Sequence, residues 1–444
     1  MKGFKTTAIK TLAALATATA LTWPLAAAAG ELRFWTWRNE DKAAYAEFFK
    51  DFNKQHPDVK ITFEAFEPQN YPTVLSTAMA GDKGPDVMMV RAYGAFEAVA
   101  RPGYLQELND TNVPGLSKFP EAALKGQTLR ADGKIYAVPF ATQTMLIIYN
   151  TEVFAKAGVK PPETVVEMLE AAKKLHNAEP NMAGMCWNGQ RGTPLGQAFI
   201  QILGSFGQPP IDEPKKGEHD FDISDLKPEN MHPLLDTPKA LQVAQLMKDL
   251  VPYSPPGVLN MAWGDSYNTM AAGGCAMGYV WSGYTGTWEN DPNSPARGKM
   301  AYIPHPRGPD VAVNRSPLGG WYLGIPKNID PARLQLAWNA LVWLSSAEMM
   351  EKYTQHGDCV APRSSVSNNA GVIERCPAVK AVNDFATAGQ IVAWQRPPIP
   401  QIQLIYDTLG TEMHQMLTGK KTPEEAVKAS QSIVDRQMRK DGVY

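Results

Sequence analysis

Apolar and polar positions along this chain alternate between two periods. Residues 32–37 (LRFWTW) read as a short strand. Tyr45, Phe48, Phe49 and Phe52 then recur at i, i+3, i+4 and i+7, the spacing of one helix face. Pro57 ends that element, after which Val59, Ile61 and Phe63 alternate with Lys60, Thr62 and Glu64 as in a strand. A helix over 71–80 stops at Gly81, and the apolar run 87–90 suits a strand buried on both faces. This βαβαβ order predicts a parallel sheet with right-handed crossovers. Ligands of such sheets bind outside the carboxyl ends of the strands. Those ends carry Trp35, Thr36, Trp37, Arg38, Asn39 and Glu40 after the first strand, and Arg91 and Tyr93 after the third.

Further along, the unbroken apolar run 145–149 predicts another buried strand, bounded upstream by Pro139 and downstream by Asn150. Asn150 is placed to cap a short helix that Gly158 ends. Pro161 and Pro162 turn the chain into a longer helix, where Thr164 and Glu167 make a capping box. Val165, Met168, Leu169, Ala172 and Leu175 form its buried face. Residues 184–207 predict a short strand, a polar turn and a helix. The stretch 208–236, rich in Pro, Lys, Glu and Asp, reads as an exposed insertion. Its Asp220, Asp222 and Asp225 miss the spacing of a calcium loop and read as a solvated charge run, so no metal site is assigned. Asp330 and Pro331 start a helix, and Thr422 with Glu425 makes a second capping box.

The first residues change the compartment. Lys2, Lys5 and Lys10 precede an apolar run over 12–25 and then Ala27, Ala28 and Ala29, the pattern of an export signal cleaved after Ala29. Of 444 residues, removal of 29 leaves 415, enough for two or three domains. Losing three lysines takes the formal charge from −2 to −5, which argues against nucleic acid as a partner. Four cysteines in an exported chain favour pairing, and Cys359 and Cys376 stand close enough in sequence to bridge. Cys186 and Cys275 either pair or stay as small buried hydrophobes.

Catalytic spelling is missing: the sequence has no Walker A loop, no G-x-S-x-G elbow, no H-E-x-x-H and no G-x-G-x-x-G. Aromatic side chains at strand ends and turns are abundant instead: Trp35, Trp37, Trp187, Trp281, Trp288, Trp321 and Trp394. An aromatic face accepts the C–H face of a sugar ring, and Asn, Gln, Asp, Glu and Arg meet hydroxyls in fixed directions.

Several segments, in order, share one spelling: GDKGPDVM from Gly81, then IIYN followed by F-x-x-AG-x-x-PP-x-T from Ile147, MAAGGCAMGYVWSGYTGTW from Met270, PLGGWYLGIP from Pro317 and GDCVAPRSS from Gly357. Together they resemble the bacterial extracellular solute-binding proteins of family 1, the maltose-binding-protein-like group serving carbohydrate ABC transporters. The resemblance implies an α/β architecture, the type II periplasmic binding protein fold, with two lobes joined by hinge crossings around a ligand cleft. It implies a signal peptide over 1–29, a first lobe of 30–142 plus 308–360, and a second of 143–307 plus 361–444. It implies a periplasmic monomer without enzymatic activity or cofactor, which binds a sugar or oligosaccharide and delivers it to ABC permease subunits. Ligand contacts carried over by position are Trp37, Asn39, Glu40, Arg91, Tyr93, Gln143, Trp281, Tyr284, Gly320, Trp321, Trp394, Gln395 and Tyr406, with Arg38 an added positive charge. Gln143 stands where maltose binders carry an acid, which turns the expectation away from maltose. Two alternatives remain. One is an anionic polyol such as glycerol 3-phosphate, whose mark would be convergence of Arg38, Arg91, Arg191 or Arg396. The other is a secreted glycan-active enzyme.

Overall fold

A computed structural model describes residues 30–68 and 70–444. The expected export signal, 1–29, lies outside the described residues. Eleven strands are seen among them: β1 Glu31–Thr36, β2 Lys60–Ala65, β3 Val87–Arg91, β4 Val138–Asn150, β5 Ala183–Cys186, β6 Lys215–Gly217, β7 Asp220–Phe221, β8 Cys275–Trp281, β9 Met300–Ile303, β10 Ser316–Gly324 and β11 Ile391–Val392. Nine of these make one sheet, whose main path runs β2-β1-β3-β10-β4-β8-β5, with β9 beside β4 and β11 beside β10. As the βαβαβ pattern requires, β1 pairs in parallel with both β2 and β3. The later strand β10 inserts antiparallel between β3 and β4.

Strand β4 is longer than the sequence suggested, because Pro139 does not break it. That proline sits where the β4–β10 register shifts between Trp321 and Tyr322, a bulge that spares its missing N–H. The extra length has a consequence for architecture. Residues 138–144 of β4 pair with β10, while 145–150 pair with β8 and β9. Val138, Phe140 and Ala141 accordingly belong to one hydrophobic core, and Met145 to Ile148 to another.

The first core is built on β1, β3 and the helices Lys42–Phe52 and Pro331–Leu344. The second is built on β5, β8 and the helices Val165–Leu175, Thr193–Ser205 and Ile402–Leu417. Val366, Val372, Cys376 and Val379 pack in the first core, although the sequence reading grouped 361–444 with the second lobe. The helix Pro377–Thr387 touches both, through Val379 on one side and Val382 and Phe385 on the other.

Local signals act as their chemistry dictates. The Asn150 side chain accepts from Glu152 and Val153 N–H groups, and Gly158 ends the helix in the left-handed region. Both capping boxes form, at Thr164–Glu167 and Thr422–Glu425. The stretch 208–236 departs from the exposed insertion expected of it. Ile211, Leu226 and Leu235 drive into the second core and anchor the segment, and Glu213 is buried with them. Both cysteine pairs are bonded, Cys359 to Cys376 and Cys186 to Cys275, the latter tying β5 to its parallel neighbour β8.

Candidate functional site

Three strands end at one place. Trp37 and Arg38 follow β1, Arg91 closes β3, and Trp281 closes β8. Trp321 of β10 is paired with Arg91, and Trp281 with Met145 of β4 just beyond Gln143. Between them lies a cavity of about 550 Å³, inside the range of small-molecule sites. From the first core's side its wall takes Trp37, Glu40, Arg91 and Trp321; from the second's side it takes Trp263, Trp281 and Tyr284. Gln143, Gln190, Gln197 and Arg396 supply polar lining. A smaller cavity of about 200 Å³ adjoins it, sharing Arg91, Gln197 and Arg396 and adding Tyr71, Tyr93 and Tyr406.

This second compartment depends on a tight helix crossing. A Cβ at Gly196 would collide with the Tyr406 carbonyl, and one at Gly410 with that of Gly192. The two glycines therefore let Thr193–Ser205 and Ile402–Leu417 approach closely, which brings Gln197 and Tyr406 to the same wall. Tyr93, on the opposite wall, has φ 64° and ψ −120°. A non-glycine residue held there costs about 1–3 kcal/mol, so the surrounding packing fixes its position.

Arg38 lies beneath the cavity rather than in it. Its side chain is 1% exposed, and its guanidinium donates to both Asp41 and Asp358, to Tyr353 at 3.2 Å and to the Tyr284 hydroxyl. Burial opposes its charge, but Asp358 and Asp41 outweigh this and raise its pKa well above the ordinary arginine value. The guanidinium is also 4.3 Å from the Trp321 ring centroid and 4.7 Å from that of Tyr284. It therefore braces two cavity walls. Tyr284 packs against the second core, stacks on Tyr267 at 4.0 Å and donates to Glu40 at 3.3 Å, so this cluster joins the two cores.

Arg91 and Arg396 are held differently. Arg91 donates to the Pro68 carbonyl at 2.8 Å and lies 4.9 Å from the Trp37 ring and 5.9 Å from Trp263. Arg396 donates to the Tyr406 hydroxyl at 3.4 Å and lies 5.4 Å from Trp281 and 6.0 Å from Tyr93. Among the described residues neither has a carboxylate within 4.0 Å. Burial, reinforced by the Arg396 charge, pulls the Arg91 pKa down to about 10.

The positions expected from sequence separate into groups. Trp37, Glu40, Arg91, Gln143, Trp281, Tyr284 and Trp321 line the main cavity, and Arg91, Tyr93 and Tyr406 the smaller one. Asn39 is exposed in the short 3-10 helix after β1, and Arg38 is buried below the cavity. Gly320 serves the sheet: at φ 140°, its missing Cβ spares the Ala141 carbonyl of β4. Trp394 is buried against Phe221 at 5.0 Å, and Gln395 is fully buried against Gly204. Trp35, Trp187 and Trp288 are core residues too. The sequence reading missed Trp263, Gln190 and Gln197. Trp263 opens the helix Trp263–Ala271, where an aromatic in the first turn was the available signal.

The profile of the family described as bacterial extracellular solute-binding protein matches residues 36–351. A mannitol-binding protein of Pseudomonas aeruginosa is 24% identical over 447 aligned residues, covering 96% of this chain and 97% of its own. A probable amino-acid ABC transporter periplasmic-binding protein of Sinorhizobium fredii is 26% identical over 336, covering 74% of this chain and 69% of its own. The crystal structure of an ABC transporter solute-binding protein from Agrobacterium radiobacter, in complex with ribitol, superposes with a TM-score of 0.82 at 23% identity. It covers 92% of this chain and 98% of that one, and shows the same fold.

Proposed function

Because this chain belongs to the bacterial extracellular solute-binding protein family, we propose that it is the substrate-binding component of an ABC importer, taking a sugar or polyol into the cavity between its two cores. The observation that carries this reading is the cavity itself, about 550 Å³ walled from both sides by Trp37, Trp263, Trp281 and Trp321 with glutamine amides between them. Flat aromatic walls suit the C–H faces of a sugar, and the amides both donate and accept toward hydroxyls. The mannitol-binding relative supports the ligand class. We read Trp37, Glu40, Arg91, Gln143, Trp281, Tyr284 and Trp321 as ligand contacts, joined by Trp263, Gln190, Gln197 and Arg396.

The two cores act as lobes that close on the ligand. The chain crosses between them at 142–144 of β4, before β10, and again between Val379 and Ile399, so 364–379 travel with the first lobe. The export signal at 1–29 directs the mature chain to the periplasm, where it works as a monomer that docks on a membrane permease. It binds without turnover.

A thermal-shift screen with mannitol, ribitol, maltose and common monosaccharides, followed by solution scattering, tests this. Ligand at a hundredfold excess over Kd stabilises a closed form by about 2.7 kcal/mol. At about 2.1 cal/mol/K of unfolding entropy per residue, 415 residues convert this to a rise of about 3 °C. A hit should also shrink the radius of gyration. A panel with no hit would remove the sugar reading, and release of chromophore from nitrophenyl glycosides would replace it with an enzyme.

A further inference from the structure

We infer that the ligand is anionic: a sugar or polyol bearing a carboxylate or phosphate, gripped between Arg91 and Arg396. The inference rests on the binding reading above and adds the charge.

Both guanidiniums line the main cavity and the smaller one, so they stand where the two compartments join. Each lies within 6.0 Å of one aromatic ring centroid from either core: Arg91 near Trp37 and Trp263, Arg396 near Tyr93 and Trp281. An aromatic ring attracts a cation through its face without accepting a hydrogen bond from its N–H groups. One neutral oxygen engages each of them, the Pro68 carbonyl for Arg91 and the Tyr406 hydroxyl for Arg396. The remaining donors have no acceptor among the described residues.

Three acids line the main cavity and none is within 4.0 Å of either arginine; Glu67 among them is exposed. Glu40 accepts from Tyr284 and pairs with Arg38 at 3.4 Å, while Asp265 accepts the Ala262 N–H at 2.9 Å. Asp41 and Asp358 are both taken by Arg38. Arg38 thus shows how this protein treats a cation that serves the fold: it surrounds it with carboxylates. Arg91 and Arg396 are left uncompensated although Arg396 is 7% exposed. A desolvated cation without a counter-charge is costly, and a carboxylate or phosphate accepting from two guanidinium forks relieves that cost. Neutral hydroxyls would not. The tryptophans and glutamines remain for the rest of the ligand.

Isothermal titration with matched probes tests the inference: D-mannitol against D-mannonate, D-glucose against D-glucuronate, and glycerol against glycerol 3-phosphate. The expected result is that one charged member binds at least tenfold more tightly than its neutral partner and weakens as salt is raised. The carboxylate and phosphate arms then identify the group. Arg91→Met and Arg396→Met should each cost that probe roughly tenfold to a hundredfold in Kd, the range for a hydrogen bond to a charged group. Unchanged circular dichroism would show that each variant is folded. Should one variant fail to fold, Arg396→Lys keeps the charge and should lose less affinity than Arg396→Met. A neutral sugar or polyol that binds as tightly as its charged partner overturns the anion and leaves the sugar reading standing. Binding by no probe overturns both.

Discussion

Arg38→Met separates a structural arginine from a ligand-binding one. The substitution keeps most of the side chain's volume and removes the one cation facing two buried carboxylates, whose side chains are 1% exposed at Asp41 and 9% at Asp358. Removing one partner of a buried ion pair costs about 3–5 kcal/mol, most of it the penalty of the charge left behind. With about 2.1 cal/mol/K of unfolding entropy per residue over 415 residues, the melting temperature should fall by about 3–6 °C. The loss must also depend on pH. Burial already raises the Asp358 carboxyl above its ordinary value, with Arg38 pulling against it. Without Arg38 the rise is larger. A carboxyl whose folded pKa is raised binds its proton more tightly in the native state, so its contribution is lost as pH rises through that pKa. Calorimetry of wild type and Arg38→Met at pH 5 and pH 8 should therefore show the larger gap at pH 8. Adding Asp41→Asn and Asp358→Asn should recover most of the loss, because no buried charge is then left unpaired. A variant that melts within 1 °C of wild type at both pH values while losing ligand affinity would refute this, and would return Arg38 to the cavity lining.

Two further outcomes follow from buried chemistry elsewhere. His305 is fully buried against Tyr279 at 4.7 Å, and burial pulls its pKa down to about 3, opposed only in part by the Gln201 backbone. Its folded pKa lies below the unfolded value, so the stability present at pH 7 drains as pH falls below about 6.5, with about 2 kcal/mol gone by pH 5. His305→Phe should flatten the fall in melting temperature between those pH values by about 2 °C, and an unaltered fall would contradict the assignment. The two bridges close sequence separations of 17 and 89 residues, which the chain-entropy view values at about 3 and 4–5 kcal/mol. Thiol titration of the denatured, unreduced chain should find no free cysteine; two would remove one bridge.

Local elements were legible because their signals are chemical and short-range. Asn150, Thr164 and Thr422 accept the orphan N–H groups that any helix start exposes, wherever the helix lies. The extent of β4 was not legible. Whether a proline ends a strand depends on what its partner does at that point, and Tyr322 of β10 lies 183 residues downstream of Pro139. The anchoring of 208–236 was hidden from the sequence for a related reason. A few apolar residues, Ile211, Leu226 and Leu235, outweigh a polar majority once a core is available to receive them.

The site divides along the same line. Residues at a parallel strand's carboxyl end are directed by the sheet itself, so the pattern pointed to Trp37 and Arg91, and the family resemblance added Trp281; all three line the cavity. Past a turn, direction is set residue by residue. Trp394, Gln395 and Arg396 are consecutive, yet the first two are buried in packing and the third reaches both cavities. Arg38 shows a further limit. It stands just past a strand end as Arg91 stands at one, but its own sequence neighbours Glu40 and Asp41 are acids, while Arg91 has none within three residues. Local acids and one distant one complete the difference: Asp41 and Asp358 both pair with Arg38, and among the described residues no carboxylate lies within 4.0 Å of Arg91. Whether a cationic side chain serves the fold or the ligand is thus decided by its tertiary neighbours. The arginines that the fold leaves unneutralised are the ones able to select a charged ligand.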